Sequence, residues 1–322
     1  MAIRMKFGVL LPHFGKEASA SRLIDGSRMC EELGFESVWV RDHLLWHPHG
    51  MEKAGLKFVE PLITLAAIAA VTKKMILGTA VLIPVRWPLK LSQDLASLSF
   101  MAGGRVIAGI GLGSMPAELT AGGLKGEERV EILRETVEIC RHIWKENNAS
   151  YKGKIFSFDD VTIEPKPVEP IPFFYGGSTR ASIRRVAEYC DGWIAGRVPM
   201  ATFDDRLKYL RSLTERNIAL ANIPIVCIEK DRARAFARVN VEELAGSSEG
   251  SKHWVKPPSG RFSTIEDLEG LLIAGNPDDC AKEIEKFRQR GIEHLVLDLR
   301  LQYDRYEEIL RLISEELLPR YR

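Results

Sequence analysis

In Val38-Trp-Val-Arg-Asp-His43, three apolar residues run directly into a cation, an acid and an imidazole. The apolar triplet fits a strand buried on both faces, as in parallel sheets. Ionisable groups placed immediately after such a strand lie where a parallel α/β barrel displays its catalytic residues. Asp42 and His43 are then candidate catalytic groups, a carboxylate and an imidazole side by side at a strand end. The plainer reading makes Asp42 a helix cap and His43 a residue resting on its neighbours.

Other strand ends carry comparable groups. Tyr175-Gly-Gly-Ser-Thr179 stands between a strand pattern and a helix pattern. Two glycines let backbone approach a ligand, and the first-turn amides with two hydroxyls favour an anion, so Gly176, Gly177, Ser178 and Thr179 are a candidate phosphate cradle. A tight glycine turn with Ser178 as helix N-cap accounts for the same residues, and both readings stay open. Gly109-Ile-Gly-Leu-Gly-Ser114 fails as a dinucleotide fingerprint: its third glycine is displaced, and Pro116 follows where the helix should run. Gly111, Gly113 and Ser114 read better as a flat wall for a planar ring. His13, Trp46, Arg86, Arg197 and Arg300 also fall after strand ends and are the candidate substrate contacts. Each has an ordinary alternative, loop packing for the tryptophan and rim ion pairs for the arginines.

His43, His47 and His49 raise a metal site, but Pro48 spoils helical geometry there and no carboxylate follows closely, so no metal is expected. There is no GxSxG and no other local serine or cysteine nucleophile signature. An imidazole–carboxylate pair, a glycine wall and an anion pocket suit an enzyme that holds a large phosphorylated ring cofactor and moves a hydride or electrons.

The elements that must position these groups alternate along the chain. Strand patterns cover 6–11, 37–40, 75–81, 106–110, 173–175, 192–195, 223–228 and 294–299. Helix patterns cover 21–33, 61–71, 88–101, 127–145, 179–190, 203–216, 277–290 and 303–318, with another from 231. Residues 151–163 read as a β-hairpin, and 246–272 as a second, lid-like insertion. About eight strands with helical crossovers predict a single α/β domain over 1–322, a (β/α)8 TIM barrel with insertions at about 149–170 and 240–275.

The 322 residues are 45% hydrophobic, enough for a core of that size, and 45 Lys+Arg against 44 Asp+Glu leaves no electrostatic footprint for nucleic acid or anionic lipid. The five cysteines are scattered without a CxxC pair, as in a reducing compartment. No apolar run reaches membrane-spanning length, so a cytoplasmic protein is expected.

With these residues in place, the chain resembles the luciferase-like flavin and deazaflavin oxidoreductase superfamily over nearly its full length. Segments 7–12, 32–43, 77–84, 104–113 and 174–178, with Asp191-Gly-Trp193, carry the resemblance. The Asp-His ending at 42–43 resembles the coenzyme F420-dependent branch; many FMN members show an acid followed by two histidines. The resemblance implies a deazaflavin ring against a bulge of the third strand, with a non-proline cis peptide at Ala80-Val81. It implies His43 as acid/base beside the ring, Asp42 orienting it, and 176–179 on the phosphate side. The glutamate that follows the fourth-strand glycines in the branch's sugar-phosphate dehydrogenase falls at Ser114 here, which predicts no second carboxylate and disfavours that substrate.

The expected activity is F420-dependent hydride transfer to or from a small alcohol, carbonyl or activated alkene. The alternatives are an FMN monooxygenase served by a flavin reductase, a metal-dependent hydrolase, and a flavin sensor without turnover. Homodimerisation through the early helices is implied by the resemblance alone.

Overall fold

The computed structural model describes residues 4–46, 55, 57–246 and 249–322. Among these, strands and helices alternate as β1 Lys6–Leu10, α1 Ala20–Glu32, β2 Ser37–Val40, α2 Pro61–Val71, β3 Ile76–Thr79, α3 Pro88–Ala102 and β4 Val106–Ile110. The run continues through α4 Pro116–Ala121, α5 Arg129–Lys145, β5 Ala149–Lys152, β6 Ser157–Val161, β7 Phe173–Gly176, α6 Arg180–Tyr189, β8 Gly192–Ile194 and α7 Met200–Leu213. It closes with β9 Ala219–Asn222, β10 Ile225–Ile228, α8 Arg232–Ala237, α9 Val241–Gly246, β11 Leu272–Gly275, α10 Pro277–Gln289, β12 His294–Asp298 and α11 Tyr306–Glu316.

Strands β1, β2, β3, β4, β7, β8, β9 and β12 pair in parallel, and β12 returns to β1, closing an eight-stranded (β/α)8 barrel. Inward-facing side chains fill it, among them Leu10, Trp39, Ile107, Phe174, Ile194, Ala221 and Val296. Trp39 fits because its register partner on β3 is Gly78; a Cβ there would stand 2.3 Å from the indole ring. Phe174 fits against Gly192 in the same way. Outside, the helices bury their apolar stripes on the strands.

Two expectations about elements change. The strand expected at 223–228 is β10, and the ring strand beside it, β9, was not expected: it lies at 219–222, separated from β10 by Ile223-Pro224, where proline cannot donate to the ladder. β9 stays in the ring, while β10 meets β12 at Ile225–Asp298 and pairs along its length with β11, a strand inside the segment expected as insertion. Pro116 does not block a helix but opens one, α4, at the first position, where its missing N–H costs nothing.

The hairpin is present as β5 and β6, antiparallel. Wholly buried Glu135 on α5 fastens its turn by accepting the N–H groups of Lys154, Ile155 and Phe156. The segment from 249 to 272 docks on the barrel through buried Trp254, Leu268 and Leu271, with the Val255 N–H on Thr202 Oγ1. No helix among the described residues is long and apolar enough to cross a membrane.

Candidate active site

A parallel barrel places every strand's C-terminal end on one face. That face therefore collects the residues after β2 (Asp42, His43), β3 (Ala80, Val81), β4 (Gly111 to Ser114) and the end of β7 (Gly176 to Thr179), and these four strands are consecutive neighbours in the ring.

His43 is tied to a carboxylate, but not to the expected one. Its Nδ1 lies 3.1 and 3.0 Å from the two oxygens of Glu118, in the first turn of α4. The Glu118 side chain is 1% exposed and that of His43 10%. Glu118 Oε1 also accepts the N–H groups of Leu44 and Leu45, so one buried acid fixes both the ring and the loop after it. A carboxylate accepts, so Nδ1 carries the hydrogen and Nε2 is left as the basic nitrogen. Phe14 and Phe58 flank the imidazole, each with its centroid 5.4 Å away. The missing second carboxylate inferred from Ser114 is thus corrected: Ser114 is exposed, and an acid reaches the imidazole from one helical turn further on.

Asp42 serves a different partner. Its buried carboxylate accepts the Ile83 N–H at 2.9 Å and Arg86 Nη2 at 3.0 Å, and Arg86 Nη2 also reaches Glu60 Oε1 at 2.7 Å. Burial works against the Arg86 charge, but hydrogen bonds and attraction from Asp42 and Glu60 outweigh it and hold its pKa above the ordinary value. Arg86, expected as a substrate contact, is instead the bridge between the loops after β2 and β3. Consecutive residues at a strand end point apart, which is why Asp42 and His43 acquire separate partners.

The bulge after β3 is present. Ala80-Val81 is a non-proline cis peptide, after which Leu82 rejoins β4 through its N–H on the Gly109 carbonyl at 2.8 Å. The Val81 side chain sits in a notch between two glycines: a Cβ at Gly111 would meet it at 2.6 Å, and one at Gly176 at 2.7 Å. Bulge, β4 wall and β7 loop therefore form one continuous surface. Gly113 follows at φ +71°, a conformation glycine adopts without strain. Beyond the wall, Thr179 rather than Ser178 caps α6, accepting the Ser182 N–H at 3.1 Å.

The remaining candidates are less open than expected. His13 is wholly buried, with Nε2 3.2 Å from Thr64 Oγ1, so it stands behind the mouth and not in it. The Arg300 side chain is 2% exposed and donates from Nε to Asp298 at 2.8 Å, closing a rim ion pair. Arg197 lies 3.6 Å from the same carboxylate and keeps 30% of its side chain exposed. Trp46 is partly exposed and its indole N–H donates to the Gly55 carbonyl. His47 and His49 lie outside the described residues; among those described, no cluster of three or more metal-ligating side chains occurs.

Sequence reasoning passed over Glu118, Glu60 and Phe58. Only Glu118 left a signal, an acid in the first turn after a helix-opening proline.

The chain is 29% identical over 334 residues to the F420-dependent glucose-6-phosphate dehydrogenase of Nakamurella multipartita, covering 96% of each. It is 32% identical over 307 residues to the protein of that name from Kineococcus radiotolerans, covering 88% of this chain and 89% of that one. The fold matches the oxygenating constituent of 3,6-diketocamphane monooxygenase from Pseudomonas putida, in complex with FMN, with a TM-score of 0.79 over 98% of each chain at 18% identity. The sequence model described as luciferase-like monooxygenase matches residues 5–294, and the chain belongs to that family.

Proposed function

We propose that the chain is a coenzyme F420-dependent oxidoreductase in which His43 exchanges the substrate proton. The observation that carries this reading is the buried Glu118 carboxylate on His43 Nδ1, on the same rim as the Ala80-Val81 bulge and the glycine wall. The residues fit such a cofactor: a wall where Val81 of the bulge packs directly on Gly111 and Gly176, neither with room for a Cβ, ending at the half-buried loop 176–179 before the first turn of α6. F420-dependent relatives at 29% and 32% identity support the choice of deazaflavin.

When bound, a deazaflavin supplies the ring carbon that accepts or returns a hydride. The chain supplies the rest. Nε2 of His43 takes the hydroxyl proton as the alcohol carbon gives up its hydride, and returns it in the reverse direction. Glu118 holds the tautomer that leaves Nε2 basic and balances the imidazolium once it forms. Arg197, 30% exposed and 3.6 Å from Asp298, is the candidate contact for an acidic substrate group.

Equilibrium titration tests the reading. Quenching of F420 fluorescence at micromolar protein, with FMN binding far weaker, is expected. Binding of FMN alone would assign the chain to the flavin monooxygenases and require a separate reductase.

A homodimer through α2 and α3 belongs to the same proposal. Ile63, Phe100 and Met101 on these two helices, with Trp87 at the N-cap of α3, are 56–70% exposed, more large apolar surface than helices facing water normally show. Light scattering is expected to give twice the 36.2 kDa chain mass.

A further inference from the structure

The loop 177–179 is gripped from behind. The Gly177 carbonyl accepts the Trp193 indole N–H at 2.8 Å, and the next carbonyl, that of Ser178, accepts Nε–H of Arg206 at 2.8 Å. Both donors are buried, Trp193 at 0% and Arg206 at 8% exposure. In a planar trans peptide the N–H after a carbonyl points opposite to it. Holding these two carbonyls inward therefore turns the N–H groups of Ser178 and Thr179 outward. Neither N–H has a hydrogen-bond acceptor among the described residues, and both lie just before the first turn of α6. Gly177 permits the close fit: at φ +150°, a Cβ would stand 2.7 Å from Ser182 Oγ.

The Arg206 guanidinium is itself fixed. Nη1 pairs with Asp205, and Nη2 donates to the His253 carbonyl at 3.0 Å, so one buried side chain joins α7, the β7–α6 loop and the docked segment after 249. A planar fork held at three corners loses little freedom for each bond it makes.

We propose that Arg206 is a positioning residue that presets the Ser178 and Thr179 N–H groups for an oxyanion of a phosphorylated cofactor. This rests on the reading of 176–179 as the cofactor's phosphate end. It assigns the loop's binding geometry to a side chain on a different element, one that touches no ligand itself.

The test compares two ligands, intact F420 and its deazaflavin chromophore without phosphate or tail, by fluorescence titration of the full chain. Arg206→Met is expected to weaken intact F420 by about 10-fold or more and the bare chromophore by less than about 2-fold. Turnover at saturating cofactor is expected to stay within about 2-fold, because proton exchange at His43 is untouched. Arg206→Lys, which can reach one carbonyl, is expected to recover part of the loss. Trp193→Phe removes the other grip while keeping the stack on Phe203, 5.0 Å between centroids, and decides the matter if Arg206→Met does not fold. Its expected result is the same selective loss. Equal loss of both ligands, or no loss, overturns the proposal, as does wild-type protein binding both ligands equally tightly. Wild-type protein that binds neither ligand overturns the reading beneath it instead.

Discussion

His43 and Glu118 stand 75 residues apart in the chain, yet the imidazole Nδ1 lies within 3.1 Å of both carboxylate oxygens. The acid is almost wholly enclosed, so nothing in solvent substitutes for it if it is lost. His43→Ala is expected to leave F420 affinity within a few-fold and to lower turnover by about 10²-fold or more, as for a lost general acid/base. Glu118→Gln keeps the shape but offers an amide, and is expected to lower turnover by roughly 10–100-fold, as when an orienting partner of a working histidine is removed. Steady-state assays against alcohols and sugar phosphates check both; wild-type turnover in either variant would remove that residue from the chemistry.

Val81 fills the notch between Gly111 and Gly176, and valine has one stiff side-chain torsion, so it cannot swing clear of an added methyl. Gly111→Ala and Gly176→Ala are each expected to cost about 1–3 kcal/mol by overpacking and to push the bulge toward the mouth. Denaturant unfolding gives the stability and F420 titration the effect on binding. Adding Val81→Ala to either variant is expected to restore stability.

Arg86 neutralises Asp42, whose side chain is 2% exposed, and takes Glu60 as its second partner. Arg86→Met strands a buried carboxylate and is expected to destabilise the fold by about 3–5 kcal/mol. Adding Asp42→Asn removes the stranded charge and is expected to recover a large part of that. Urea midpoints of the single and double variants measure the coupling, and additive losses would show that the pair is not one unit.

His294, at the start of β12, packs beside Trp39 and Phe174 inside the barrel. Burial, reinforced by Lys6, depresses its pKa from 6.5 to about 4. The folded state therefore prefers the neutral ring, and the unfolded state takes up a proton first as pH falls. Stability from this residue is full above about pH 6.5 and is lost as pH drops towards 4, by roughly 3 kcal/mol in total. His294→Leu is expected to flatten the pH dependence of the urea midpoint over that range. An unchanged slope would place the titration elsewhere.

Much of the barrel was legible because strands buried on both faces read as short apolar runs, and Val38-Trp-Val40, Val106–Ile110 and Phe173–Tyr175 stand between clear helix patterns. β11 was hidden because Leu272–Gly275 is short and lies in a stretch rich in glycine, proline and serine. The site divides the same way. His43 and the glycines announce themselves by type and by position at strand ends. The partners do not: Asp42 with Arg86 and His43 with Glu118 are pairings across 44 and 75 residues, set by how neighbouring loops cross the mouth and by no local pattern. Adjacency in the chain suggested that Asp42 serves His43, and the geometry of a strand end separates them.

The most direct test is a crystal structure of the chain with F420 bound. The expected density places the deazaflavin ring against Ala80-Val81 with its reactive carbon facing the His43 side, and the phosphate at the N–H groups of Ser178 and Thr179. A ring seated away from the bulge, or a phosphate bound at another strand end, would contradict the account.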